Sequence, residues 1–405
     1  MKPGKMKKLY ILLFSLIALT GVNAQNWTIL NSGTASSLSS VCFPAPDTGY
    51  IAGETGTILK TINGGINWTI LYTGHSMSLY TIHLLNTEKG WVAGDNGELL
   101  KTVDGGINWD PTILNPWFYR ITSIYFPSPD TGYLVAANTP DGGGVIEKTT
   151  NGNYFLPILY ETTSDWLEAV YFPSVNTGYA VGDRGTIIKT TNGGINWIIQ
   201  SSGTINNLYS VFFTDINTGY AVGDSGIILK TTNGGTNWMN CTSGTPNSLR
   251  SVFFADINTG YAVGNNGVIL NTINGGSDWT IEFSGTVKNL HSVYFTDLIT
   301  GYAVGDSGLI LKTTNGGGVG IPEDSSASKL IRIYPNPTHD EITIESSAIT
   351  GNTRLSISNV RGLEMIVQMV INNRTCIDIG NIPSGVYIIR LQNDNTVYVA
   401  KIIKE

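Results

Sequence analysis

The chain has 405 residues, with 30 acidic against 23 basic side chains and a formal net charge of −7. That balance argues against a nucleic-acid partner, which needs a basic face. Its three cysteines, Cys42, Cys241 and Cys376, suggest no pairing and read as small apolar side chains in strands rather than a disulfide frame.

Residues 1–24 read as a secretory signal: Lys5, Lys7 and Lys8, an apolar stretch from Leu9 to Leu19, then Val22-Asn23-Ala24 before Gln25. The apolar run is shorter than the roughly 20 residues that a bilayer span needs. No cysteine follows the cleavage site, and nothing later in the chain reads as a membrane span.

From Gln25 the chain repeats itself about every forty residues. The hexapeptide Asn-Gly-Gly-Ile-Asn-Trp and its near copies run Asn63 to Trp68, Asp104 to Trp109, Asn192 to Trp197, Asn233 to Trp238 and Asn274 to Trp279. A second marker, Thr-Gly-Tyr or a variant, keeps step with its Gly at 49, 90, 132, 178, 219, 260 and 301, which makes seven repeats. Each repeat reads as four short strands. In the fifth copy the strands are Leu208 to Phe213, Tyr220 to Gly223, Ile227 to Lys230, and one opening at Trp238, divided by Gly/Asn/Asp turns. Four strands per repeat is the blade of a β-propeller.

The seventh repeat stops after Lys312-Thr-Thr-Asn-Gly-Gly317, with no Trp and no fourth strand. Asn26-Trp27-Thr-Ile-Leu30, just behind the signal, carries the missing piece. An open edge strand is a liability that a ring removes by taking its last strand from the other end of the chain. The prediction is an all-β chain: a seven-bladed propeller over 25–318, closed by the N-terminal strand, then a Gly/Ser-rich linker over 319–329. The remaining residues, 330–405, carry alternating runs that predict a small C-terminal β-sandwich.

That last domain, with Tyr334-Pro-Asn-Pro337, Ser384-Gly-Val-Tyr387 and the closing Lys401-Ile-Ile-Lys404, closely resembles the type A sorting domain of the type IX secretion system. The resemblance implies passage through the periplasm and across the outer membrane, with the secretion machinery as a partner through residues 330–405, ending in release or cell-surface attachment. The turn Thr190-Thr-Asn-Gly-Gly-Ile-Asn-Trp197 resembles the Asp-box of sialidase-type propellers. Together with Thr-Gly-Tyr-Ala-Val-Gly, it makes the repeat most similar to the seven-bladed photosystem II stability/assembly factor-like propellers, over about residues 26 to 317. The photosynthetic members imply partner contact through an arginine cluster. This propeller holds only Arg120, Arg184 and Arg250, so that role does not carry over residue by residue.

These residues make a poor catalytic set. Sialidase-like chemistry needs three convergent arginines, and the three present occupy different positions within their repeats. The xyloglucan-degrading propellers work in a cleft between two rings, and one ring is predicted here. A carboxylate pair drawn from Glu168, Asp183 and Asp141 leaves hydrolysis as an alternative, although solvated turn acids are the simpler reading. His75, His83, His291 and His339 share no metal-ligand spacing, and no cofactor motif is present. Asp215-Ile-Asn217 and its copies read as capped turns rather than a calcium loop.

Two sets of residues are candidates for ligand binding. The first lies where the third repeat departs from the others, on loops predicted to share one face: Trp117, Phe118, Tyr119 and Arg120, the insertion carrying Asp141, then Trp166, Asp183 and Arg184. The same aromatics would otherwise cover a blade whose Trp is replaced by Tyr154-Phe155. The second set is the residue before the Ser/Ala/Thr of each inner strand: Ser39, Tyr80, Thr122, Glu168, Tyr209, Arg250 and His291. A structural position should look alike in every repeat. This one changes size and charge, as residues lining a channel mouth would. The reading is an exported, non-catalytic binding or scaffold module for a glycan or protein ligand, with a glycoside hydrolase or a membrane-complex assembly factor as alternatives.

Overall fold

A computed structural model describes residues 27–71, 74–112, 118–138, 142–153, 155, 158–162, 165–317, 331–346, 353–359, 364–370, 372–392 and 397–405. The predicted signal and linker lie outside these residues. Among them the fold is all-β, with seven four-stranded antiparallel sheets followed by one of three strands and one of four.

Each of the seven sheets is one blade. In the fifth blade the strands are Leu208–Phe213, Gly219–Gly223, Ile228–Thr231 and Met239–Cys241, paired in sequence order. The second strand, Gly-Tyr-Ala-Val-Gly, is buried along its whole length because it is covered by a neighbouring blade on both sides. The outermost strand shows solvent two exposed residues out of three. Closure follows the predicted route: Thr28–Leu30 pairs antiparallel with Leu309–Thr313, as Thr28 to Lys312, Ile29 to Leu311 and Leu30 to Ile310. Trp27 is fully buried and packs edge-to-face on Phe295 at 5.9 Å, as Trp197 packs on Phe172.

The repeat signatures are the joints between blades. The Tyr of Thr-Gly-Tyr and the Lys of the third strand both donate to the first Gly carbonyl of the next blade's Asn-Gly-Gly turn. Tyr179 Oη and Lys189 Nζ reach Gly234 O at 2.9 and 2.6 Å. Tyr302 and Lys312 of the last blade reach Gly64 of the first at 2.7 and 2.6 Å, so the joint also spans the closure of the ring. The turn presents that carbonyl because Gly234 and Gly235 take φ of +64° and +82°, which a side chain would strain. Within the turn, Asn192 Oδ1 accepts the Asn196 N–H at 3.0 Å, and Thr190 Oγ1 accepts the Gly194 N–H at 2.9 Å.

The inner strands are tied in the same manner. Ser40 Oγ accepts the Ile82 N–H of the next blade at 3.3 Å, and Ser292 Oγ accepts the Val41 N–H across the closure at 3.3 Å. Asp215 Oδ1 caps its own turn by accepting the Asn217 and Thr218 N–H groups. The three cysteines are free, and burial pushes the Cys42 thiol up to about 11.

The C-terminal sheets run Ile331–Tyr334, Glu341–Ser346, Arg374–Asp378, and Glu364–Val370, Thr353–Asn359, Gly385–Gln392, Val397–Lys404. Ile342, Ile344 and Ile377 from one sheet share a core with Leu355, Ile357, Ile389 and Ile402 from the other.

Candidate functional site at the channel mouth

The variable position of each inner strand is the extra residue of a β-bulge. Pairing skips Ser39, Tyr80, Thr122, Glu168, Tyr209, Arg250 and His291, each between a buried Leu or Ile and the Ser, Thr or Ala that follows. A bulge releases one side chain from the strict alternation and re-aims it. Tyr80, Tyr209, Arg250 and His291 thereby leave the inter-blade core and turn toward one end of the ring.

That end is set by close backbone contacts. In six of the blades the loop before the inner strand meets the turn between the second and third strands, as in Asp224 N to Asn207 O at 2.9 Å. A Cβ on Gly223 would lie 1.8 Å from that carbonyl, so the approach requires glycine. Four of the seven bulged side chains then find a partner in their own turn. Tyr80 Oη donates to Asp95 Oδ2 at 2.9 Å, and Tyr209 Oη to Asp224 Oδ1 at 2.9 Å. Arg250 Nε donates to Asn265 Oδ1 at 3.2 Å, and His291 Nε2 lies 2.7 Å from Asp306 Oδ1. Sequence reasoning missed these turn partners. Their signal is a constant offset of 15 residues.

The third blade breaks the pattern. Ala137 stands where Asp224 stands in the fifth, and Thr122 instead donates to Leu167 O at 2.7 Å, so it does not face the mouth as expected. Arg120, two residues earlier, takes its place. Its Nε donates to Asp95 Oδ1 of the preceding blade at 3.2 Å, and its guanidinium lies 4.6 Å from the Tyr80 ring centre. Arg250 repeats the stack on Tyr209 at 4.2 Å. Two Arg–Tyr stacks therefore stand on the rim, Arg120 bonded to a carboxylate and Arg250 to an amide, although the two arginines sit at different repeat positions.

Glu168 makes no hydrogen bond with the described residues. Burial, then Asp183, push its carboxyl up to about 6, while Arg120 and Arg250 pull it back. A group that feels arginines of the third and sixth blades sits where the blades converge, near the axis. Glu54, Asp95, Asp183, Asp224 and Asp306 open the equivalent turns of five blades, and Asp183 and Asp224 act on Glu168 directly. With Glu168, the mouth presents six carboxyl groups against two arginines.

The first predicted set gathers only in part. Trp166 is half-buried, and its backbone N–H donates to Asp183 Oδ2 at 3.3 Å. Arg184, in the same turn at φ +51°, pairs with Asp165 instead of joining Arg120 and Arg250. Phe118 and Tyr119 begin the third inner strand, Phe118 opposite Asn138. Trp117 and Asp141 lie outside the described residues. The third blade needs no borrowed aromatic, because Phe155 is fully buried and packs edge-to-face on Phe126 at 6.0 Å. No group of His, Cys, Asp and Glu gathers as a metal-ligand set among the described residues, and none of their helices is long and apolar enough to cross a membrane.

Two family models match the chain. One, described as photosynthesis system II assembly factor YCF48, covers residues 19–119 and 156–245, and the gap between the two stretches contains most of the irregular third blade. The other, secretion system C-terminal sorting domain, covers residues 332–405. No curated protein matches the sequence. Among solved structures, YCF48 from Cyanidioschyzon merolae is 19% identical with a TM-score of 0.60, covering 71% of this chain and 98% of its own. A second, YCF48 bound to D1 peptide, is 18% identical with a TM-score of 0.61, covering 72% and 97%. The GH74 xyloglucanase from Xanthomonas campestris is 11% identical with a TM-score of 0.57, covering 79% and 59%. At these identities the likeness is one of fold.

Proposed function

We propose that this chain, a photosystem II assembly factor-like propeller carried by a secretion system sorting domain, is a non-catalytic recognition module that holds a polypeptide segment at its channel mouth. The sorting domain marks it for secretion or attachment at the cell surface by way of the periplasm. The observation that carries the reading is the mouth's unmatched set of donors and acceptors. Among the described residues Glu168 has no hydrogen-bond partner, while Arg120 and Arg250 are each held through Nε and a tyrosine face with no hydrogen bond from their terminal nitrogens. A peptide backbone supplies both N–H and C=O groups to such a set.

A glycan is a poorer match, because the guanidinium groups cover the Tyr80 and Tyr209 faces on which a sugar ring would stack. Six carboxyl groups against two arginines favour a basic segment. A protein of the same fold solved with a peptide supports the reading by analogy. The test is fluorescence anisotropy of the full chain with short fluorescein-labelled Lys-rich and Glu-rich peptides. The Lys-rich peptide is expected to bind, weakening on the order of tenfold or more in Glu168→Gln. Equal binding of both peptides, or no effect of the substitution, would overturn it.

A hydrolase is the second reading, favoured by Glu168 standing protonatable beside Asp183. Release of reducing sugar from a glycan panel, lost in both Glu168→Gln and Asp183→Asn, would displace the binding reading.

A further inference from the structure

The two signatures of the sorting domain form one structural unit. Thr338, directly after Tyr334-Pro-Asn-Pro337, forms a parallel bridge with Lys404. Thr338 N donates to Ile403 O at 2.9 Å and Glu405 N to Thr338 O at 2.8 Å, while Asn336 Oδ1 accepts the Ile403 N–H at 2.9 Å. The chain's last residues thereby join the edge of the four-stranded sheet to the segment between the first two strands of the other.

Lys404 lies inside this joint. Its side chain is 7% exposed, and its Nζ donates to Ile379 O at 2.7 Å, Gly380 O at 2.9 Å and Ile382 O at 2.6 Å. An ammonium has three N–H donors, and all three are used. The carbonyls belong to the crossover from Arg374–Asp378 in one sheet to Gly385–Gln392 in the other. That crossover forms no regular strand of its own, so its inward carbonyls need a donor from elsewhere.

The structure assigns Lys404 the role of an internal pin that closes the sorting domain, rather than an exposed charge offered to the secretion machinery. The C-terminal signature acts by completing the fold, and the machinery reads another surface of the finished sandwich. Lys404 is thus a positioning residue for export.

The test uses the full chain with two substitutions. Lys404→Met keeps the stem and removes the ammonium, leaving three inward carbonyls without a donor. Lys404→Arg keeps the charge but forces a planar, bulkier fork into a closed site. Both purified variants are expected to lose protease resistance in residues 331–405 and to melt that domain about 10 °C or more below wild type. Both are expected to be exported poorly from cells. Normal export of Lys404→Arg with an unstable domain would mean that charge alone is read. A Lys404→Met chain as stable as wild type yet retained in cells would mean that the machinery contacts the lysine itself. Either outcome overturns the pin.

Discussion

Glu147 occupies the third strand of the third blade at the position held elsewhere by Leu59, Leu100, Ile188, Leu229, Leu270 and Leu311. It is fully enclosed, and neither carboxylate oxygen has a hydrogen-bond partner among the described residues. Burial pushes its carboxyl up to about 7. A buried polar group without a partner costs about 1–3 kcal/mol by the measure of protein mutations. Glu147→Leu is therefore expected to stabilise the propeller by that order in urea denaturation at pH 8, where the wild-type group is ionised. The gain should shrink at pH 5, where Glu147 is neutral. A destabilised variant at pH 8 would show that the carboxyl has a partner in solution.

At the level of the strand, the N-terminal segment differs from the outermost strands it imitates. The indole N–H groups of Trp68, Trp109, Trp197, Trp238 and Trp279 have no hydrogen-bond partner among the described residues, whereas Trp27 Nε1 donates to Glu282 Oε2 at 2.9 Å. The one outer strand that its own blade does not precede in sequence gains a polar latch to the sixth blade. Removal of residues 25–31 should lower the melting temperature and expose Leu309–Thr313 as an open edge, seen as growth in light scattering on warming. Unchanged melting with no association would contradict it. This closure was legible because the seventh repeat lacks a Trp that reappears at Trp27. The bulges were legible only as a position whose chemistry varies, since the skipped pairing that creates them leaves no composition signal. Arg120 was misplaced for a physical reason. Its partners Tyr80 and Asp95 belong to the preceding blade, and it reaches them from a strand lengthened to Phe118–Tyr125. Lys404 was recognisable as part of a signature, but its three acceptors lie 22 to 25 residues away.

Across the whole ring, buried acids outnumber buried bases among groups that titrate near neutrality. Burial raises Glu147 and Glu282 to about 7 and Glu168 to about 6, with Asp183 adding to the last. Each therefore binds protons in the folded chain between the ordinary carboxyl range and its raised value, where the unfolded chain has already lost them. Stability then falls as pH rises through that window, and is flat above it. His83 acts in the opposite sense. Burial between blades lowers it to about 4, so the unfolded chain holds its proton up to about 6.5 while the folded chain does not, and stability rises with pH over that span. Three acids against one base leave a net loss from about pH 5 to 7, followed by a plateau. A net change of even about 1 kcal/mol moves the melting temperature of a ring this size by roughly 2–4 °C. The propeller transition in calorimetry should therefore lie several degrees higher at pH 5.5 than at pH 8. Glu282→Gln should reduce that difference, because its amide still accepts from Trp27 without a charge to bury. Equal melting at the two pH values, or a difference untouched by the substitution, would show that these carboxyl groups reach water through motions that the closed ring does not display.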